Sequence, residues 1–273
     1  MAHKHLNKAS QKAFTPRSDW NNVNQWYDEL VGDAGSSHHQ KVIIPGVMRL
    51  LNLTPPAHVL DIAAGQGVLC RALSEQGLEV TGVDLAPELV KAARHRCTSS
   101  LEHHVVGDAR KLGEITELAN TSFDAALCVL AIQNMTPLSP VWQGCRQKLK
   151  PGGVLVVVMM HPCFRVPRAS SWGWDEMDGS QYRRVDRYLT SEKIAIAMHP
   201  GSEPTEATLS FHRPLQAYIN TLGSAGLLID HIEEWTSHRQ PPPGKRFAAL
   251  DKSRREIPLF LALRARSMAA GAE

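Results

Sequence analysis

From His58 onward, short apolar runs alternate with stretches of helical period, and this alternation predicts a parallel sheet covered on both faces. Val59–Ile62 reads as a first strand, Val68–Gln76 as a helix stopped by Gly77, and Glu79–Val83 as a second strand. Pro87 suits a first helical turn and opens a helix reaching Cys97. His104–Val106 and Phe123–Val129 give the third and fourth strands, and Ser139–Leu149 a further helix, broken by Pro151-Gly152-Gly153. Val154–Met159 is apolar throughout, as a central strand buried on both faces should be.

Beyond His161 the pattern lapses. From Phe164 to about Ser210, Trp172, Trp174, Tyr182 and Tyr188 are scattered among charges, glycines and prolines. Alternation resumes with a helix over Pro214–Ala225, a strand over Leu228–Trp235, a loop at Pro241–Gly244 and a last strand over Ile257–Leu263. Upstream, two helices are expected, around Asp19–Val31 and His39–Leu53, the second started or kinked at Pro45. The implied architecture is α/β: a Rossmann-like, seven-stranded, mostly parallel sheet with helices on both faces. Residues 1–57 form an N-terminal helical cover, 58–162 the cofactor-binding core, 163–211 a lid insertion after the fifth strand, and 212–266 the rest of the core.

Composition narrows the classes. The chain has 273 residues, enough for one generous domain with a cap, and 43% hydrophobic with 21% charged residues excludes wholesale disorder. A formal net charge of +3 generates no field that argues for nucleic acid or an anionic membrane as partner. Cys70, Cys97, Cys128, Cys145 and Cys163 are scattered and never form a C-x-x-C pair, which predicts free thiols in a reducing compartment and no metal. The polar N-terminus and the lack of a bilayer-length apolar run lead to the expectation of a soluble, cytoplasmic protein.

The chemistry concentrates where the strands end. Val59-Leu60-Asp61-Ile62-Ala63-Ala64-Gly65-Gln66-Gly67 carries a strand into an acidic residue and then, through small residues, into a helix. Such a turn lets backbone approach a ligand closely, with helix N–H groups favouring a polar or negative group. Asp84 ends the second strand, where a carboxylate can accept both hydroxyls of a ribose. Asp108, in Gly107-Asp108-Ala109, ends the third at the same edge.

Read in order, D-x-A-A-G-x-G, V-x-G-V-D-L-A, G-D-A, F-D-A-A-L-C and L-K-P-G-G-V-L-V-V resemble class I S-adenosylmethionine-dependent methyltransferases, in particular the ubiquinone/menaquinone-methyltransferase-like small-molecule group. The resemblance runs from about Val59 to Met159, and more weakly through the last two strands. His161-Pro162-Cys163-Phe164 and Phe211-His212-Arg213-Pro214-Leu215 resemble a sub-branch known mostly by fold. It implies S-adenosyl-L-methionine as cofactor and a small, apolar or aromatic molecule as methyl acceptor at O, N or C. It assigns Asp61, Ala63, Gly65 and Gly67 to the methionine end, Asp84 to the ribose, and Leu85 to packing on the adenine. Asp108 would take the adenine amino group, with Ala109 beside it, while Val129 and Leu130 would line the reactive side. Ala63 departs from the pattern, since many members have glycine there. Tyr27 and His39, with His38, are expected to close over the cofactor; Ser36 or Ser37 as an ordinary helix cap is the alternative reading of that loop.

Methyl transfer is an in-line displacement at an activated carbon, so positioning and water exclusion are the protein's main tasks. His161, at the end of the fifth strand, is the first candidate base, expected to face the cleft; otherwise it is structural, in a His-Pro turn. His212 is the second. Two other enzyme classes compete. A nicotinamide oxidoreductase would want G-x-G-x-x-G, but Cys70 stands at the third position and Asp61 would repel a pyrophosphate. A nucleic-acid amino-methyltransferase would carry N/D-P-P-Y/F where this chain reads Ala131-Ile132-Gln133-Asn134-Met135. A cytosine C5 enzyme needs a thiolate, for which Cys163 with His161 and Arg165 is the candidate; the alternative is that Cys163 packs as a small hydrophobe. A non-catalytic cofactor binder is the remaining class.

Overall fold

The computed structural model describes residues 32–197 and 207–268. Seven strands form one sheet in the order β10-β11-β5-β4-β1-β2-β3. They are β1 (His58–Ile62), β2 (Glu79–Asp84), β3 (Glu102–Val106), β4 (Phe123–Val129), β5 (Leu149–Met160), β10 (Leu227–Trp235) and β11 (Phe260–Ser267). The first five run parallel, and β11 lies antiparallel between β5 and β10. The helices are α1 (Ile44–Leu51), α2 (Val68–Ser74), α3 (Pro87–Arg96), α4 (Ser139–Lys148), α5 (Leu215–Ser224) and α6 (Phe247–Glu256).

The period-2 geometry of a strand explains why the central strands are apolar at every position. Leu155, Val157 and Met159 face one core layer with Ala126, Cys128 and the fully buried Trp142 of α4. Val154, Val156 and Val158 face the other, with Ala125, Leu127 and Val47 of α1. Trp142 is tied to α5 through its indole N–H, which donates to Thr221 Oγ1 at 3.0 Å. Among the described residues no helix is long and apolar enough to cross a membrane.

The structure departs from the sequence expectation in four places. β5 begins at Leu149, because a register shift between Phe123 and Ala125 lets the Pro151-Gly152-Gly153 turn ride on the strand. The lid holds two hairpins, β6 (Ser170–Asp175) with β7 (Ser180–Val185) and β8 (Glu192–Ala197) with β9 (Ala207–His212). β7 alternates exposed and half-buried positions with polar residues on both faces, so a ribbon forms where the sequence shows no apolar alternation. α6 was not foreseen: Ser253 is its one buried residue, so it carries too little apolar periodicity to be read. Accordingly Ile257 is the C-cap of α6 and not a strand start, and β11 begins at Phe260. Finally, the turn His39–Ile43 is π-helical and leads into α1, with Pro45 in its first turn. The helix expected over Asp19–Val31 lies outside the described residues.

Candidate functional site

β1, β2, β3 and β4 all end at one edge of the sheet, where their following loops surround a cavity of about 660 Å³. Pockets of roughly 300–1,000 Å³ suit drug-sized ligands. The floor is the turn after β1. Ala63 and Gly65 line the cavity with φ of 58° and 57°, and Gly67, at φ 83°, caps α2. Gly67 itself lies behind the wall. A Cβ there would stand 3.0 Å from His104 Cε1, so its glycine serves close packing of α2 on β3.

Asp84 is the hinge of the site. Its Oδ2 accepts the Gly65 N–H at 2.8 Å and its Oδ1 the Ala86 N–H at 2.9 Å. Four lone pairs on the two carboxylate oxygens exceed these amide bonds, so Asp84 keeps acceptor capacity at the cavity it lines. Burial raises its pKa, and the amide bonds from Ala86, Gly65 and Leu85 oppose the rise. Leu85 beside it is 57% exposed, a large apolar side chain presented to the same cavity.

Asp108 also lines the cavity, but its carboxylate is already forked by Arg110, whose Nη2 approaches Oδ2 at 2.6 Å and whose Nε lies 3.0 Å from Oδ1. That side-chain hydrogen bond is the first cause of Asp108's lowered pKa. Arg110 reaches on to the Thr136 carbonyl at 3.3 Å, bridging the loops after β3 and β4. Val129 and Leu130 close the β4 side. Leu130, like Ala63, is a non-glycine residue in the left-handed region, at φ 55°. Its N–H donates to Val158 O at 2.7 Å and its carbonyl accepts from Gln133 Nε2 at 2.8 Å, bonds that hold the conformation. Left-handed backbone costs an L-residue about 1–2 kcal/mol, and here two such residues face one cavity.

Over the floor sits the segment from Gly32 to His39. Arg71 donates to Gln66 O and Asp33 O, both at 2.7 Å, Gln66 Nε2 to Gly32 O at 3.0 Å, and Arg96 Nε to Asp33 Oδ1 at 2.7 Å. Ser36 and His39 are thereby brought to the cavity. The Ser36 N–H donates to His39 Nδ1 at 3.3 Å, so that nitrogen carries no proton and the neutral ring is an Nε2–H donor. Burial lowers its pKa and keeps it neutral. Tyr27 lies outside the described residues.

Asp61 is buried one layer beneath the cavity, 3% exposed, and does not line it. Its Oδ2 accepts from Cys70 Sγ at 3.4 Å. Burial pushes its pKa up to about 7, against the thiol's hydrogen bond and with Asp84's charge adding to the rise.

The two base candidates do not reach the cavity. His161 Nδ1 accepts the Cys163 N–H at 3.2 Å, which places the ring proton on Nε2, 2.6 Å from Glu234 Oε1. With both nitrogens engaged and the side chain 3% exposed, the expectation that His161 faces the cleft is corrected: the His-Pro turn pulls the ring onto β10. His212 is buried at the end of β9, not at a helix start, and its Nε2 donates to Tyr188 O at 2.8 Å. Cys163 is likewise absent from the cavity wall, its Sγ 3.4 Å from Tyr188 Oη. Sequence reasoning missed Ser36, Arg110, Asn134, Met135, Thr136, Lys193, Leu209 and Phe211 as lining residues. For Arg110 the signal was its place two residues after Asp108. For the lid residues there was none before β8 and β9 were known to pair.

Residues 60–157 match the family model described as Methyltransferase domain. The ubiquinone biosynthesis O-methyltransferase of Xanthomonas campestris pv. campestris is 38% identical over 118 residues, 42% of this chain and 46% of that protein. The matched stretch thus spans less than half of that relative. The crystal structure of an S-adenosylmethionine dependent methyltransferase from Mesorhizobium loti superposes with a TM-score of 0.65 at 26% identity, over 81% of this chain and 96% of that one. A glycopeptide N-methyltransferase, MtfA, solved with sinefungin, shares the fold at a TM-score of 0.56 and 16% identity, over 84% of this chain and 86% of that one.

Proposed function

We propose that the chain is a class I S-adenosylmethionine-dependent methyltransferase that transfers a methyl group to a small apolar or aromatic acceptor, a reading supported by the match of residues 60–157 to the Methyltransferase domain model and by the likeness to its relatives. The observation that carries this reading is the convergence of Asp84, Leu85, Asp108 and the Ala63–Gly65 turn on one cavity.

The residues fit the cofactor. Asp84 keeps acceptor capacity for the ribose, and Leu85 offers an apolar face to the adenine. Asp108, held ionised by Arg110, would share its oxygens between Arg110 and the adenine amino group. The backbone of Ala63 and Gly65, with the His39 Nε2–H above it, accommodates the amino-acid end, and the buried Asp61 carboxylate beneath acts on its ammonium through its field and not by contact. When bound, S-adenosylmethionine supplies a methyl carbon already activated by its sulfonium.

The chain's own part is to hold the acceptor in line and dry. Leu209 and Phe211, with Met135, supply an apolar wall, which supports residues 163–211 as an acceptor lid, and Ser36 and His39 at the cavity support the described part of 1–57 as a cover. His161 and His212 orient that lid instead of taking a proton, and His39 is held as a donor. Among the described lining residues, transfer therefore rests on positioning, which suits an acceptor that ionises readily. The likeness to ubiquinone biosynthesis O-methyltransferases supports oxygen as the methylated atom. Five unpaired cysteines support a reducing, cytoplasmic setting.

Calorimetric titration with S-adenosylmethionine and S-adenosylhomocysteine tests the reading, with product formation followed over a panel of phenols, amines and carboxylic acids. Micromolar binding of both is expected. Absence of heat with either, or stabilisation by a nicotinamide dinucleotide in their place, overturns it.

A further inference from the structure

The cavity wall carries a cation as well as the two carboxylates. Lys193 lines it from β8. Register pairs Lys193 with Phe211 and Ala195 with Leu209, and directly opposed residues of an antiparallel pair share a face. The hairpin therefore turns Lys193, Leu209 and Phe211 together toward the cavity. Among the described residues the Lys193 ammonium has neither an ion pair nor a hydrogen bond. Its sequence neighbour Glu192, which projects to the opposite face, is taken by Arg187 at 3.5 Å.

The two carboxylates that line the cavity do not answer this charge. Asp84 is bound by backbone amides, and Asp108 is forked by Arg110. A further cation stands behind the wall: Arg213 donates to Met135 O at 2.7 Å and lies 5.3 Å from the centre of the Phe211 ring. An apolar wall carrying an unanswered ammonium is complementary to a flat molecule with an ionised oxygen at its edge. The apolar frame gains by leaving water, and the charge fixes which way round it sits.

We propose that Lys193 selects the methyl acceptor by pairing with an anionic oxygen group, carboxylate or phenolate, on an aromatic frame packed against Phe211, Leu209 and Met135. This rests on the methyltransferase reading and narrows it from small apolar molecules to aromatic acids. A neutral ring of the same shape leaves the ammonium unpaired at the wall and binds less well. The preference weakens as salt rises, since the lysine is exposed and such pairs are screened.

The test uses the full chain saturated with S-adenosylhomocysteine and titrated calorimetrically with 3,4-dihydroxybenzoate and with 3,4-dihydroxybenzamide, which share a frame and differ by one charge. The acid is expected to bind at least tenfold more tightly than the amide. Lys193→Met should abolish that preference and Lys193→Arg should restore most of it, with circular dichroism and melting temperature confirming that both variants are folded. Equal affinities for acid and amide, no detectable binding of either, or a preference that survives Lys193→Met overturns the proposal. Failure of the unsubstituted chain to bind S-adenosylhomocysteine in the first titration overturns the methyltransferase reading instead, so the two failures are separable.

Discussion

The amide of Gly65 donates to Oδ2 of Asp84 at 2.8 Å, fastening the turn after β1 to the turn after β2. Both residues line the cavity, so one hydrogen bond sets the distance between the part that would hold the amino-acid end of the cofactor and the part that would hold its ribose. A charge-assisted bond contributes about 1.5–3 kcal/mol, and Asp84 accepts two from backbone before any ligand arrives.

Asp84→Ala should therefore weaken S-adenosylhomocysteine binding by about 100-fold or more, as two ribose acceptors disappear and the two turns lose their tie. Asp84→Asn keeps one acceptor and should fall between. Titration calorimetry checks both, and unchanged affinity in Asp84→Ala would remove the ribose assignment.

Asp61 makes the site pH-dependent. Its folded pKa of about 7 lies above the reference value of 3.8, so protonation of the folded chain is favoured between the two. The stability this acid contributes is full below about pH 4 and is lost as pH rises through 7. A ligand ammonium nearby favours the carboxylate, so the sign for binding is opposite: cofactor affinity should rise from pH 6 to pH 8 and then level off. Asp61→Asn should bind more weakly and lose that rise, measured by calorimetry across the same range.

Ala63 sits at φ 58°, in the left-handed region that favours glycine, the residue the resemblance leads one to expect there. Ala63→Gly removes strain of about 1–2 kcal/mol but adds freedom to the unfolded chain worth about 0.4–1 kcal/mol, so a small net gain in stability is expected. Ala63→Val places a β-branched residue in the left-handed region and should lower stability by about 2 kcal/mol or more and reduce cofactor affinity. Thermal denaturation with and without S-adenosylhomocysteine measures both effects.

The Glu234 carboxylate takes the proton-bearing nitrogen of His161, and the Tyr188 carbonyl takes that of His212. Neither histidine then has a role at the reacting atoms. His161→Ala and His212→Ala should each cost about 1–3 kcal/mol of stability by removing a buried, hydrogen-bonded ring, while the kcat of the folded enzyme stays within a few-fold. A kcat loss of a hundredfold at unchanged melting temperature would restore either one as a base.

The sequence alone determined the strands of the mostly parallel sheet and the three carboxylates at strand ends. Those features are local: alternating apolar positions report burial on both faces, and small residues between a strand and a helix report a tight turn. They are legible at Val59–Gly67, Glu79–Leu85 and Gly107–Ala109 because each segment carries its own geometry. The tertiary structure alone decided which groups those carboxylates meet. Asp61 turned out to be buried against Cys70, Asp108 to be held by Arg110, and His161 to be drawn away from the cleft by Glu234, a residue 73 positions distant. It also decided that a stretch without visible period folds into two hairpins, and that one of them turns Lys193 and Phe211 toward the cavity. Partner choice and facing across such separations depend on how elements pack in three dimensions, and no spacing along the chain encodes that.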